Sequence, residues 1–269
     1  MKKIMMSLLC VAGIGILGAC GGNKEAADTA DNSWKTVEEN GKVVVGLDDT
    51  FVPMGFRDEA GEIVGFDVDL ATAVFAEYDI DVEFQPIDWS MKEAELDNGT
   101  IDLIWNGYTV TESRQKKVLF SDAYKQNEQV LVTKKESGIE RFADMEGKIL
   151  GAQTGSSGYE AFLDQPELLA DIVADNDAIL FSSFNEAFID LKSGRIDGLL
   201  IDRVYAGYYL AQSGELANYT INAGEFENED FAVGARKDDK ALVGKINESI
   251  ATLKENSEFD KISEKWFGE

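Results

Sequence analysis

The chain reads as an α/β protein of two lobes, each a mostly parallel sheet flanked by helices, with a ligand cleft at the hinge between them. Three observations carry this. Short apolar runs alternate with segments of helical periodicity from about residue 41 onward, and repeated strand–helix–strand units call for parallel sheets covered on both faces. The alternation runs through two sets, 41–124 and 130–224. A tail from 231 reads as a strand and two helices with no core of its own, so it returns to the first set. The expected organisation is one lobe of 41–124 plus 231–269, a second of 130–224, and two hinge crossings at 125–129 and 225–230.

The elements follow in order. A short apolar strand is predicted at 42–45, then a helix on which Val68, Ala71, Phe75 and Tyr78 share a face. Asp67 and Asp69 sit in its first turn, where the helix dipole favours acids. A strand at 82–84 precedes a helix opened by Ser90 and Glu93, which read as a capping box. The strand 102–105 leads to a short helix carrying Arg114, with Thr111 as its N-cap. Strands at 129–133 and 148–153 follow, then a small-residue turn at 154–158 and a helix. A strand at 179–181 leads to a second capping box, Ser183 with Glu186, whose helix turns Ala187, Phe188 and Leu191 one way. The strand 198–201 ends at Asp202 before another helix. The last strand, 232–235, is followed by two helices ending at Trp266 and Phe267.

Residues 1–19 read differently. Lys2 and Lys3 precede an apolar stretch, 4–17, that is too short to span a bilayer comfortably but suits a secretory signal. Gly18 and Ala19 are small, as a signal peptidase requires, and Cys20 comes directly after them. The run 17–20 resembles the lipobox of bacterial lipoproteins, which implies a Cys20 thiol carrying diacylglycerol at a new N-terminus. The plainer alternative is a signal peptide with an incidental Cys. Residues 20–36 are small, polar and without apolar periodicity, and read as a flexible tether.

Composition removes whole classes of function. Acidic residues number 51 against 25 basic ones, so nucleic acid is not an expected partner: phosphate neutralisation needs Lys and Arg. There is no His, which removes the usual base of a Ser-His-Asp triad and the usual nitrogen ligand of a metal. The two cysteines, Cys10 and Cys20, both lie in the first twenty residues, so the rest of the chain holds neither a disulfide nor a thiolate metal site. No cofactor or metal is called for.

The stretch 101–124 is the most informative. A buried strand runs into a small polar turn with Gly107 and Thr109, and Arg114 stands one helical turn beyond. Backbone N–H groups, a hydroxyl and a guanidinium together suit a carboxylate. The turn 154–158 has the small residues of a phosphate loop but lacks its Lys.

Taken together, several segments resemble the extracellular solute-binding proteins of bacterial polar amino-acid ABC importers. They are 48–53 (DDTFVP), 64–70 (VGFDVDL), 109–114 (TVTESR), 120–124 (FSDAY), Gly194-Arg195-Ile196-Asp197 ahead of Asp202, and 265–268 (KWFG). The resemblance covers about 37–268 and implies the periplasmic-binding-protein-like (type II) fold. It also implies roles. Arg114 would clamp the α-carboxylate of a free polar L-amino acid, helped by Thr109, the backbone of Gly107 and the N–H of Ser157 at a helix start. Asp202 would take the α-ammonium. Phe51 and Trp89 would sandwich the side chain, with Asp48 and Gln153 at its polar end and Asn106 near the ammonium or side chain. The sequence departs from the family pattern at Met54-Gly55-Phe56 after Pro53 and at Gln153, so the side-chain pocket is the least determined part.

The resemblance implies a monomeric lipoprotein held at the outer face of the cell membrane, closing on its amino acid and delivering it to the ABC permease's transmembrane subunits. Plainer roles stand beside these: Asp202 as a helix cap, Asp48 as a turn cap, and Phe51, Trp89 and Trp105 as core aromatics. Two other functions compete. One is an enzyme on the same fold, of the cyclohexadienyl dehydratase kind, which needs a positioned acid in the cleft. The other is the sensory domain of a receptor, against which stands a chain that ends at Glu269 without a membrane helix or kinase.

Overall fold

The computed structural model describes residues 31–268, so the signal segment, Cys20 and the first part of the expected tether lie outside the described residues. Two five-stranded sheets form the two lobes. In the first, the order is Asp81–Pro86, Lys42–Leu47, Leu103–Ile104, Gly234–Ala235, Leu119–Phe120. Its first three strands are parallel, with Lys42 opposite Asp81 and Val45 opposite Leu103. Gly234–Ala235 enters antiparallel, so the C-terminal tail does complete the first sheet. In the second, the order is Ala178–Phe181, Leu150–Gln153, Gly198–Asp202, Gln129–Lys134, Tyr219–Asn222.

Here too three strands are parallel, but Gln129–Lys134 runs antiparallel to Gly198–Asp202 and to Tyr219–Asn222. The strand Tyr219–Asn222 was not legible in the alternation. It is short, and its residues other than Asn222 are only half-buried. A hairpin-like sheet of Thr50–Phe51, Gly55–Arg57 and Ile63–Val64 occupies the stretch where Met54-Gly55-Phe56 departs from the family pattern. Between the lobes, Lys125–Asn127 pairs antiparallel with Glu229–Phe231, and Asn127 stands opposite Glu229.

Apolar packing covers both faces of each sheet, as parallel strands require. One cluster joins Val43, Val45, Phe66, Val74 and Leu103 to the C-terminal helices through Leu242, Ile246 and Ile250. It also runs on into the second lobe, where Phe51 meets Phe184 at 5.9 Å and Tyr205 at 5.5 Å. The lobes are therefore closed on one another. Separate clusters around Phe162 and around Ile104 and Tyr108 cover the other faces.

Two local expectations are corrected. The stretch 33–36 is not tether but the start of a helix, Ser33–Asn40, because Trp34 finds Tyr78 at 4.7 Å and Val37 is buried. Ser90 and Glu93 form no capping box. The cap is Asp88, whose carboxylate accepts the Ser90 N–H at 2.9 Å, while Glu93 accepts the Tyr108 hydroxyl at 2.9 Å. Thr111 does cap the Arg114 helix, and Ser183 caps Phe184–Ser193. Among the described residues no helix is long and apolar enough to cross a membrane.

Candidate functional site

A narrow, nearly filled void lies between the lobes. Eight of the ten residues singled out above line it: Phe51, Trp89, Asn106, Gly107, Arg114, Gln153, Ser157 and Asp202, joined by Ser156. Asp48 and Thr109 stand directly behind the lining, bonded to Gln153 and Ser157. A larger groove between Lys134, Lys192 and Glu215 lies at the surface, where Lys192 pairs with Glu215.

Arg114 is placed by a single helical turn, Glu112–Gln115, whose cap Thr111 accepts the Arg114 N–H at 3.2 Å. Its guanidinium is buried, lies 4.8 Å over the Tyr108 ring and donates to the Thr109 carbonyl at 3.0 Å. Stacking and a fixed acceptor aim the fork, as an ammonium on a flexible stem would not be aimed. Nη2 crosses to the second lobe and donates to the Gly155 carbonyl at 3.2 Å, with Glu160 3.6 Å from Nε.

On the opposite wall, Ser156 caps the helix Ser157–Asp164 by accepting the Tyr159 N–H at 3.1 Å. The N–H of Ser157 thus belongs to the first turn, where backbone donors lack helical partners and favour an anion. The Ser157 hydroxyl stands 3.0 Å from that of Thr109.

Asp202 ends the strand Gly198–Asp202 and precedes the helix Arg203–Gln212, yet its carboxylate makes no cap bond. It accepts instead from Asn127 Nδ2 at 2.6 Å and Gln129 Nε2 at 2.9 Å. Burial, and then the neighbouring Glu229 carboxylate, push Asp202 well above the usual carboxylate range. Asp48 caps its turn, Oδ1 accepting from the N–H and hydroxyl of Thr50, while Oδ2 accepts from Gln153 Nε2 across the cleft at 2.8 Å. Burial raises Asp48 as well.

Gly107 is corrected in part. Its N–H donates to Asp67 Oδ2 at 2.7 Å and so is not offered to a ligand. The glycine is required for space: its φ is +57°, and a Cβ would lie 2.9 Å from the Phe51 ring. Asn106 accepts the Asp48 N–H at 3.1 Å, and its Nδ2 is buried with no hydrogen-bond partner among the described residues. Trp105 is core.

Four further residues meet at the site. Lys92, buried on the first lobe, donates to the Gly155 carbonyl at 2.9 Å and lies 5.0 Å from the Trp89 ring centre; burial pushes its ammonium down to about 7. Asn127, Gln129 and Glu229 surround Asp202. The i, i+2 spacing of Asn127 and Gln129 was the legible signal, since it puts two amides on one side of an extended chain. Glu229 was hidden in the acidic run 225–230.

The family model of bacterial extracellular solute-binding proteins, family 3, matches residues 43–269. A crystal structure of an ABC uptake transporter substrate-binding protein from Streptococcus pneumoniae with bound histidine is 57% identical. It superposes with a TM-score of 0.88 over 89% of this chain and 97% of its own. The glutamine-binding protein GlnH of Bacillus subtilis is 30% identical over 100% of this chain and 98% of its own. The L-cystine-binding protein TcyJ of Escherichia coli is 30% identical over 98% of this chain and 93% of its own. These relatives are binding proteins, and the enzyme reading is set aside in favour of theirs. The chain belongs to the bacterial extracellular solute-binding proteins of family 3.

Proposed function

We propose that this chain is the substrate-binding component of an ABC importer and takes a polar L-amino acid into the void between its lobes. The observation that carries the reading is that groups of opposite charge line that void together. Arg114 and the helix start at Ser157 form a cationic end, and Asp202 forms an anionic one. An amino acid presents a carboxylate and an ammonium on one carbon, which this pairing matches and a simple acid or amine does not. The Arg114 bond to Gly155 is the kind of contact that a ligand carboxylate would take over. Because the ligand would touch both lobes, its binding would favour closure. The lobes would be 41–124 with 231–269 and 130–224, moving about the paired crossings at 125–129 and 225–230. The protein would act as a monomer and hand its cargo to the transmembrane subunits.

Phe51, Trp89, Asp48 and Gln153 would receive the side chain. Relatives near 30% identity are named for glutamine and cystine, whereas the 57% identical structure holds histidine. A carboxylate at the side-chain end suits a ligand with an N–H to donate, so histidine is the first candidate. The test is a thermal-shift panel of the twenty amino acids on wild type and Arg114→Ala. A ligand at 100 times its dissociation constant stabilises by about 2.7 kcal/mol, or about 5–10 °C here. No shift with any amino acid, or an equal shift in Arg114→Ala, would defeat the reading.

We further propose that Cys20 carries the lipid that tethers the protein to the outer face of the cell membrane. Cys20→Ala should move the protein from the membrane fraction to the medium or periplasm. Unchanged membrane retention would count against lipidation.

A further inference from the structure

Two carboxylates, not one, stand at the ammonium end of the cleft, and strand register puts them there. In the second sheet Asp202 pairs directly opposite Gln129. In the ribbon between the lobes Glu229 pairs directly opposite Asn127. Each amide then serves both acids. Asn127 Nδ2 lies 2.6 Å from Asp202 Oδ1 and 3.2 Å from Glu229 Oε2. Gln129 Nε2 lies 2.9 Å and 3.0 Å from the same two oxygens. The hydroxyls of Thr109 and Ser157 approach Glu229 Oε2 at 3.3 Å and 3.5 Å. Arg114 is the positive group whose field reaches both acids.

One cation facing two enclosed carboxylates leaves an excess negative charge. Like charges so placed do not ionise together at ordinary cost; one of them keeps its proton. Burial raises both acids, and Glu229 raises Asp202 further. Strand register on the second lobe and the ribbon sets Asn127 and Gln129 between the two acids, and the first lobe adds the Thr109 hydroxyl and completes their enclosure.

We infer that Glu229 is a positioning residue for Asp202, and that the two acids share one proton which the ammonium of an incoming amino acid displaces. The ammonium keeps its three protons, Asp202 faces it as a carboxylate with an anionic Glu229 behind, and the displaced proton goes to solvent. Glu229 does not line the void and acts through Asp202 and the bridging amides. The inference rests on the amino-acid reading of the cleft and adds a proton to its balance sheet. Its consequence has a definite sign. Binding weakens as pH falls into the range where the pair holds its proton, by up to about tenfold per pH unit for one proton, and levels off above neutrality.

The test is calorimetric titration with L-arginine and with L-histidine, from about pH 5.5 to about pH 8. Each titration is run in two buffers of different ionisation enthalpy. Wild type should release a fraction of a proton per amino acid bound below neutrality. Glu229→Gln keeps the shape and a hydrogen-bonding end. It should lose the release and show a flattened pH profile, binding more weakly than wild type at about pH 8, where wild type has both carboxylates charged. Protons taken up or lost by the imidazole of histidine are common to both proteins and cancel in the difference. Binding of L-arginine to wild type without proton release would overturn the inference, as would the same release in Glu229→Gln as in wild type with either amino acid. If neither amino acid binds at any pH, the reading of the cleft for these ligands fails, and the inference falls with it.

Discussion

At the scale of single residues, the site depends on groups whose ordinary chemistry is suppressed by burial. Asp67 shows this most clearly. Its Oδ2 accepts from the Gly107 N–H and the Tyr124 hydroxyl, and so holds the turn that carries Asn106 and Gly107 into the cleft. Burial pushes its carboxyl up to about 7, from 3.8. The folded chain therefore holds a proton there that the unfolded chain gives up, and this group's contribution to stability falls as pH rises from about 4 to about 7. The slope is at most about 1.4 kcal/mol per pH unit for one proton. Urea unfolding without ligand should show that decline, and Asp67→Asn should flatten it; an unchanged slope in the variant would refute the assignment. In the sequence Asp67 reads as a first-turn acid favoured by the helix dipole. Its inward direction depends on tertiary packing, which spacing alone does not give. Arg114 and Asp202 were legible because each ends a local pattern, a capped turn and a buried strand. Glu229 was not, because its meaning comes from a partner strand about a hundred residues away.

At the scale of elements, capping explains both what could be read and what was missed. Thr111 and Ser183 cap helices within reach of their own sequence, and both were legible. The helix Lys240–Glu255 is capped from far away. Its residue Asp239 gives no side-chain cap bond; the Ala241 N–H is taken by Asp31, and the Leu242 N–H by the Ser33 hydroxyl at 3.2 Å. This is why 31–36, polar and without periodicity, looked like tether and is instead structural. Replacing Asp31 and Ser33 together with Ala should cost about 1–3 kcal/mol, as lost caps do, and lower Tm by about 3–10 °C. Amino-acid affinity should not change, since neither residue is near the cleft. A melting point within a degree of wild type would show that these bonds contribute nothing. The second sheet teaches the same point. Alternation predicts its parallel strands, but the antiparallel entry of Gln129–Lys134 follows from the chain crossing between lobes, which no window of sequence contains.

At the scale of the whole molecule, polar bonds join the packing of Phe51 against Phe184 and Tyr205 in holding closure, and two of them converge on one carbonyl. The Gly155 oxygen on the second lobe accepts from both Lys92 and Arg114 of the first. Gln153 reaches Asp48, and Glu160 accepts from Thr111 nearby. Each bond alone is worth little, because water satisfies the same groups when the lobes part. Their common dependence on one distance makes the open–closed balance sensitive to a small wedge. Gly155 is the place for it. Its φ is +73°, and a Cβ there would lie 3.2 Å from Ser90 Cα and 3.4 Å from Lys92 Nζ, both on the facing lobe. Asn is among the few side chains that tolerate this backbone region, so Gly155→Asn separates a wedge effect from local strain. The variant should unfold at nearly the wild-type temperature without ligand but bind its amino acid at least about tenfold more weakly, a loss of about 1.4 kcal/mol. In small-angle scattering with ligand present, Gly155→Asn should keep a larger radius of gyration than wild type. A wild-type radius and wild-type affinity in the variant would show that the Gly155 contact does not limit closure. A variant that reaches the wild-type radius yet binds weakly would place the loss in the Arg114 clamp itself, since the same carbonyl serves both.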